Sequence, residues 1–231
     1  MNDNILEVKN LSVVFDGEKI IDDLSFNLKE KENLVIIGPN GAGKSVLLKT
    51  LTGIIPFSGE IKWKKPVKIG YVPQKFSPEK NLPLTVEDFF KFKHTNSQVI
   101  KNCLHSVGIN DLKILNRRMG IISSGQLQRV LIAWSLIDHP NILLFDEPTS
   151  GIDIEGEETI YALLEKLDKE YELTVIFVTH DLSIIYEFAD SVLCLNKRSI
   201  SYGAPHLALS PENLRELYGG KVNFHRHEHK N

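Results

Sequence analysis

Eight consecutive residues constrain this chain more than any others: Gly38-Pro39-Asn40-Gly41-Ala42-Gly43-Lys44-Ser45. They follow a short, wholly apolar run at 34–37. They precede Val46, Leu47, Leu48, Leu51 and Ile54, whose spacing predicts a helix with one buried face. A strand that runs into a glycine-rich loop and then a helix is the setting in which the pattern G-x-x-x-x-G-K-S/T has physical meaning. Glycines let successive backbone N–H groups turn inward around a phosphate, and the helix N-terminus adds a favourable dipole. Lys44 reaches the outer phosphates, and the hydroxyl of Ser45 can hold Mg²⁺. A chance match arises in roughly one chain in a hundred of this length, and the strand–loop–helix setting cuts that further.

The rest of the chain builds a frame for such a loop. Leu11, Val13 and Phe15 alternate with smaller or polar residues, Asp16-Gly17 supplies a turn, and Leu24, Phe26 and Leu28 alternate again. That pattern reads as an antiparallel opening. Short apolar runs at 67–72, 142–145, 175–178 and 192–195 suit strands covered on both faces, as in a parallel α/β sheet. Between residues 85 and 139 the period changes. Ile100, Cys103, Leu104 and Val107, then Val130, Leu131, Trp134 and Ile137, fall at helical spacing, which predicts a helical insertion between two halves of the sheet domain. Ile160, Leu163, Leu164 and Leu167 mark a further amphipathic helix. The expected organisation is one domain over 1–220, with the helical subdomain at about 85–139, and a polar, mobile tail over 221–231.

The run 142–145 ends in Asp146-Glu147. A carboxylate at that strand end can hold Mg²⁺ beside the loop, and the next one can act as general base on an attacking water. An acidic pair after a strand is weak by itself, since strand ends are commonly polar; beside the glycine loop it points to a nucleoside triphosphatase.

Composition excludes other classes. A formal net charge of −3 argues against a nucleic-acid partner. Cys103 and Cys194 are far apart and lack zinc-site spacing, which suits a reducing cytosol. The start, MNDNILEVKN, has no basic and apolar leader pattern, and no apolar run approaches the roughly 20 residues that cross a bilayer. A cytoplasmic chain is expected.

Between the two motifs stands Ile122-Ser123-Ser124-Gly125-Gln126, followed by Leu127-Gln128-Arg129-Val130. By itself this reads as a polar helix cap. It also resembles the signature of the ABC ATPases, usually LSGGQ with a trailing QRV. The order of matches extends the resemblance over nearly the whole chain: the loop, Gln74 after a strand, the signature, Asp146-Glu147, Ser150-Gly151-Ile152-Asp153, and His180 after a strand. The resemblance implies an α/β P-loop NTPase fold: a RecA-like core, an antiparallel β subdomain and an inserted helical subdomain. It implies Mg²⁺-dependent ATP hydrolysis by two copies that sandwich two ATP molecules, energising permease subunits at the cytoplasmic face of the bacterial inner (plasma) membrane. A solute-binding protein would act indirectly.

Carried over residue by residue, Gly38 to Val46 would cradle the phosphates. Phe15 would stack on adenine, although a lone Phe is more often core. Ser123, Gly125 and Gln126 would complete the partner's γ-phosphate site. Ser45, Gln74 and Asp146 would attend Mg²⁺, Glu147 would be the base and Lys44 would assist. His180 would contact the γ-phosphate unless it is a core histidine, and Asp153 would communicate across the dimer. Ser124 departs from the family's glycine. If the backbone there needs positive φ or a close phosphate approach, serine slows turnover and Ser124→Gly speeds it.

The segments Ile69-Gly70-Tyr71-Val72-Pro73-Gln74, Leu82-Pro83-Leu84-Thr85-Val86, Arg118-Met119-Gly120 and Val192-Leu193-Cys194-Leu195-Asn196 resemble the zinc-uptake, or ZnuC-type, branch of importer ATPases. The tail adds His225, His227 and His229 around Glu228, imidazoles that either ligate zinc or are simply solvated. Manganese or iron-complex import, a non-transport ABC ATPase and a binding module are the alternatives. Phe76, Leu82, Leu84, Phe89 and Phe90 discriminate among them: an exposed groove of these residues favours permease docking, and burial favours plain core packing.

Overall fold

A computed structural model describes residues 3–64, 66–148 and 154–220. Ser150, Gly151, Ile152 and Asp153, together with His225, His227, Glu228 and His229, lie outside the described residues. The opening alternation forms β1 (Asn4–Phe15) and β2 (Glu18–Lys29), paired antiparallel. Asp16 and Gly17 between them both take positive φ, which matches the right-handed twist of a tight hairpin. The apolar run before the glycine loop is β3 (Asn33–Ile37), with all five residues buried, and the loop feeds α1 (Lys44–Leu51). A strand not foreseen from the pattern, β4 (Ser58–Trp63), joins the other edge of β1 and completes a three-stranded sheet in the order β2-β1-β4.

The second sheet draws on the rest of the chain: β5 (Ile69–Val72), β6 (Ile142–Asp146), β7 (Thr174–Val178), β8 (Ser191–Asn196) and β9 (Arg198–Gly203). Its order is β5-β6-β7-β3-β8-β9; only β9 runs antiparallel. The helices are α2 (Val86–Lys91), α3 (Ser97–Ser106), α4 (Ser124–Leu136), α5 (Ile154–Tyr171), α6 (Leu182–Phe188), α7 (Pro205–Ala208) and α8 (Pro211–Tyr218).

Strand alternation explains the continuous apolar runs. Val35, Ile37, Leu143, Phe145, Val175, Phe177, Val192 and Cys194 face one core, which they share with residues of α3, α4 and α5. Leu34, Ile36, Ile142, Leu144, Ile176, Val178, Leu193 and Leu195 face a second core, with α1 and the antiparallel sheet. Both faces are dry, so polar alternation would have been costly.

Two expectations change. The strand predicted at 67–72 starts at Ile69. Ile54 does not continue the buried face of α1 and is 65% exposed. The helix ends at Leu51 because Gly53 takes a left-handed conformation: its N–H donates to the Thr50 carbonyl, and that of Ile54 to the Lys49 carbonyl, closing the helix. The residues open between a docking groove and core packing resolve mostly toward packing. Phe89 and Phe90 are buried, Phe76 and Leu84 pack on the same core, and Phe89 stacks on Trp134 at 5.1 Å. Those four are core, and of the five only Leu82 is exposed.

Among the described residues, 86–136 contains three helices, two 3-10 turns (Leu112–Asn116 and Met119–Ile121) and no strand. An isolated antiparallel bridge joins Thr85 to Arg118. Cys103 and Cys194 are free thiols. No described helix is long and apolar enough to cross a membrane.

Candidate functional site: a phosphate loop and its carboxylates

The parallel strands deliver the candidate residues to one edge. The glycine loop leaves β3, Gln74 stands two residues beyond β5, Asp146 ends β6 with Glu147 next to it, and His180 stands two residues beyond β7. Ligands of open α/β sheets bind at that carboxyl edge.

Tertiary neighbours shape the loop. Gly38 lies so close to β8 that an added Cβ would meet the Leu195 carbonyl oxygen at 2.0 Å. Gly43 caps α1 at φ 97°, where a Cβ would meet the Ile20 carbonyl oxygen at 2.9 Å. Gly43 offers α1 no side-chain cap, and among the described residues the N–H groups of Lys44, Ser45 and Val46 find no other partner. The Ala42 N–H donates to the Pro39 carbonyl, and the Lys197 N–H donates to the Ala42 carbonyl. Lys44 is buried; its ammonium donates to the carbonyls of Gly38 at 2.8 Å and Pro39 at 3.1 Å, and lies 3.9 Å from Glu147. Burial pushes its pKa down, while the charges of Glu147 and Asp146 oppose that shift.

The carboxylates meet the loop directly. The Ser45 hydroxyl donates to Asp146 Oδ1 at 2.9 Å, and the Tyr71 hydroxyl donates to Oδ2 at 3.3 Å. Burial holds the Asp146 carboxyl above its usual range, with Ser45 and Tyr71 pulling the other way. Burial also pushes the Tyr71 phenol up, so it stays a protonated donor. The Gln74 amide donates to Glu147 Oε2. Glu147 takes φ 47°, unusual for a side-chain-bearing residue, and its N–H is tied to the Val178 carbonyl at 3.1 Å. Strain of this kind concentrates where a side chain must be aimed. Two hard oxygen donors, Ser45 Oγ and Asp146 Oδ1, converge beside the loop, and that donor chemistry fits Mg²⁺.

The remaining predicted residues divide in two. Phe15, at the hairpin tip, is 42% exposed and not core. His180 is also exposed, which removes the core-histidine alternative. Thr179 beside it is buried and accepts a hydrogen bond from the Asp181 N–H at 3.0 Å. Ser123 caps α4: its hydroxyl accepts from the Gln126 N–H, and the Gln126 side chain accepts from the Ser123 N–H, each at 3.2 Å. Ser124 is the first helical residue and is not among those with positive φ, and Gly125 has open space where a Cβ would point. The backbone reason for expecting Ser124 to slow turnover therefore falls away. Within the chain, the α4 end is not among the groups that contact Lys44, Asp146 and Glu147.

The chain has counterparts among known proteins. The family model described as "ABC transporter" matches residues 21–150, more than half the chain. The chain belongs to the ABC transporter family. Its matches in that family are extensive. It is 37% identical over 231 residues to "Zinc import ATP-binding protein ZnuC" of Haemophilus influenzae, covering 97% of this chain and 85% of that protein. It is 34% identical to the protein of the same name from Wigglesworthia glossinidia brevipalpis, covering 98% of this chain and all of that one. Among solved structures, "An inward-facing conformation of a putative metal-chelate type ABC transporter" matches with a TM-score of 0.81 and 29% identity, over 94% of this chain and 89% of that one.

In this ABC chain, sequence reasoning passed over two contributors. Tyr71 reads as one apolar strand residue among others; the signal was a hydroxyl-bearing side chain in register with the strand that ends at Asp146. Lys197 acts through its backbone, which no side-chain pattern reports.

Proposed function

We propose that this chain is the ATP-hydrolysing subunit of an ABC importer that takes up a divalent metal ion, zinc ahead of manganese. The names of the zinc-import relatives support the cargo. The observation that carries the hydrolytic part is the grouping of Glu147 with Lys44 at 3.9 Å and with the Gln74 amide, beside the uncapped N-terminus of α1.

ATP enters with its phosphates against Gly38–Val46 and its adenine on Phe15. Lys44 turns from the loop carbonyls to the outer phosphate oxygens. Ser45 and Asp146 would hold Mg²⁺, with Gln74 attending it, and the bound ion would supply charge neutralisation at the phosphates. Glu147 accepts a proton from the attacking water, Gln74 orients that water, and His180 contacts the γ-phosphate. Ser123, Gly125 and Gln126 of a second copy close the site from the other side, and Asp153 serves contact between the copies. Residues 1–220 act as one ATPase domain with a helical subdomain at about 85–139. Permease subunits anchor it to the cytoplasmic face of the bacterial inner membrane, and a solute-binding protein delivers the metal to them.

A metal-chelate cargo is the second reading, favoured by the metal-chelate transporter structure. Metal uptake in cells lacking the chain, complemented by wild type or by Glu147→Gln, tests both. Zinc uptake lost on deletion and restored only by wild type is expected. Normal zinc uptake without a redundant importer, with manganese or iron-complex uptake lost, overturns the zinc assignment.

A further inference from the structure

We propose that Tyr71 is a positioning residue that acts through Asp146, setting the orientation of the carboxylate that holds the metal; this rests on the reading under Proposed function. The placement follows from strand register. Tyr71 of β5 pairs with Leu144 of β6. Alternation then puts Ile69 and Tyr71 on the same side of the sheet as Ile142, Leu144 and Asp146, the side covered by α1. The ring of Tyr71 packs on that core, and its hydroxyl emerges at the strand edge, 3.3 Å from Asp146 Oδ2. Ser45, in the first turn of α1, donates to the other oxygen at 2.9 Å. Among the described residues each carboxylate oxygen thus has one side-chain donor, one from the sheet and one from the helix, and rotation of the carboxylate breaks both bonds. When the Ser45 hydroxyl turns to the metal, the phenol is the donor that still fixes the carboxylate plane, with Oδ1 directed at the phosphate loop.

Tyr71→Phe keeps the packed ring and removes only the donor. The test compares wild type with Tyr71→Phe in the full chain, by the Mg²⁺ dependence of ATP hydrolysis at saturating ATP. It is paired with Mn²⁺ binding to the ATP-loaded protein, read by electron paramagnetic resonance in a Glu147→Gln background. The concentration giving half-maximal activity and the Mn²⁺ dissociation constant both rise about five- to tenfold, the scale of one ordinary hydrogen bond, as suits a contact of 3.3 Å. ATP binding in EDTA is unchanged. Equal Mn²⁺ affinity in the two proteins overturns the proposal. So does a parallel loss of ATP binding in EDTA, which marks a general packing role. If wild type does not hydrolyse Mg²⁺-ATP, the functional reading fails by itself, while the Mn²⁺ titration still decides the role of Tyr71.

Discussion

The helices α1 and α4 both follow a small capping residue, Gly43 or Ser123, in loops the sequence singles out, yet their amino ends are built in opposite ways. The end of α1 is buried and has no side-chain cap; its shape comes from Leu195, Ile20, Asp146 and the Lys197 backbone, all distant in sequence. The end of α4 lies at the surface and caps itself, with Ser123 and Gln126 exchanging hydrogen bonds across one turn. Arg117 adds a donor to Gln126 Oε1 at 3.4 Å and another to the Ile121 carbonyl at 3.2 Å. One end is finished by its own fold. The other is finished locally and left accessible, as the proposed pairing of two copies requires.

Substitutions can break or sharpen this contrast, beginning with the largest effect. Gly38→Ala drives a methyl group into the Leu195 carbonyl, so unfolding in denaturant should register a loss of about 3 kcal/mol, with nucleotide binding abolished. A stable variant that still binds ATP would mean the loop is not set by β8. Ser123→Ala removes the local cap and should cost about 1 kcal/mol, while ATP binding to the isolated chain persists and hydrolysis falls. If ATP binding by a single copy fell as well, the two helix ends would not be independent.

Asp146→Asn probes the electrostatic cost of the buried end. Burial raises the Asp146 pKa, so the folded chain holds that proton more tightly than the unfolded chain does. Stability is then lost as pH rises from the ordinary carboxylate range through the raised value, and the full cost is present above it. In the metal-free protein, Asp146→Asn should raise the melting temperature at pH 7, with the gain shrinking as the solution is acidified below the raised pKa. A gain independent of pH would remove burial of the charge as its cause. The smallest effect belongs to Ser124→Gly. At a right-handed first-turn position glycine relieves nothing, so stability should fall by about 0.5 kcal/mol and turnover should not rise. A clear acceleration in the assembled transporter would restore the view that phosphate approach, rather than backbone conformation, penalises the serine.

Much of this molecule is legible in one dimension because its signals are periodic or contiguous. Dry strands must be apolar throughout, so β3, β6, β7 and β8 stand out as short runs. The phosphate loop is contiguous in its residues, and the α4 cap also closes its hydrogen bonds within a few residues. Ile54 fits the helical period but lies outside the helix, because periodicity alone does not report the glycine that ends it one turn early. Phe76, Leu84, Phe89 and Phe90 were open between core and groove, since an aromatic residue has the same letter in either place.

The sequence by itself determined the loop, the order of motifs, the antiparallel opening and the α/β alternation, all of which depend on local backbone chemistry. Tertiary structure alone decided that Tyr71 and Ser45 grip opposite oxygens of one carboxylate, that Glu147 is aimed from a strained backbone, and that Leu195 leaves no room for a side chain at position 38. Those features join residues separated by up to 157 positions, and the packing of strands side by side sets such distances.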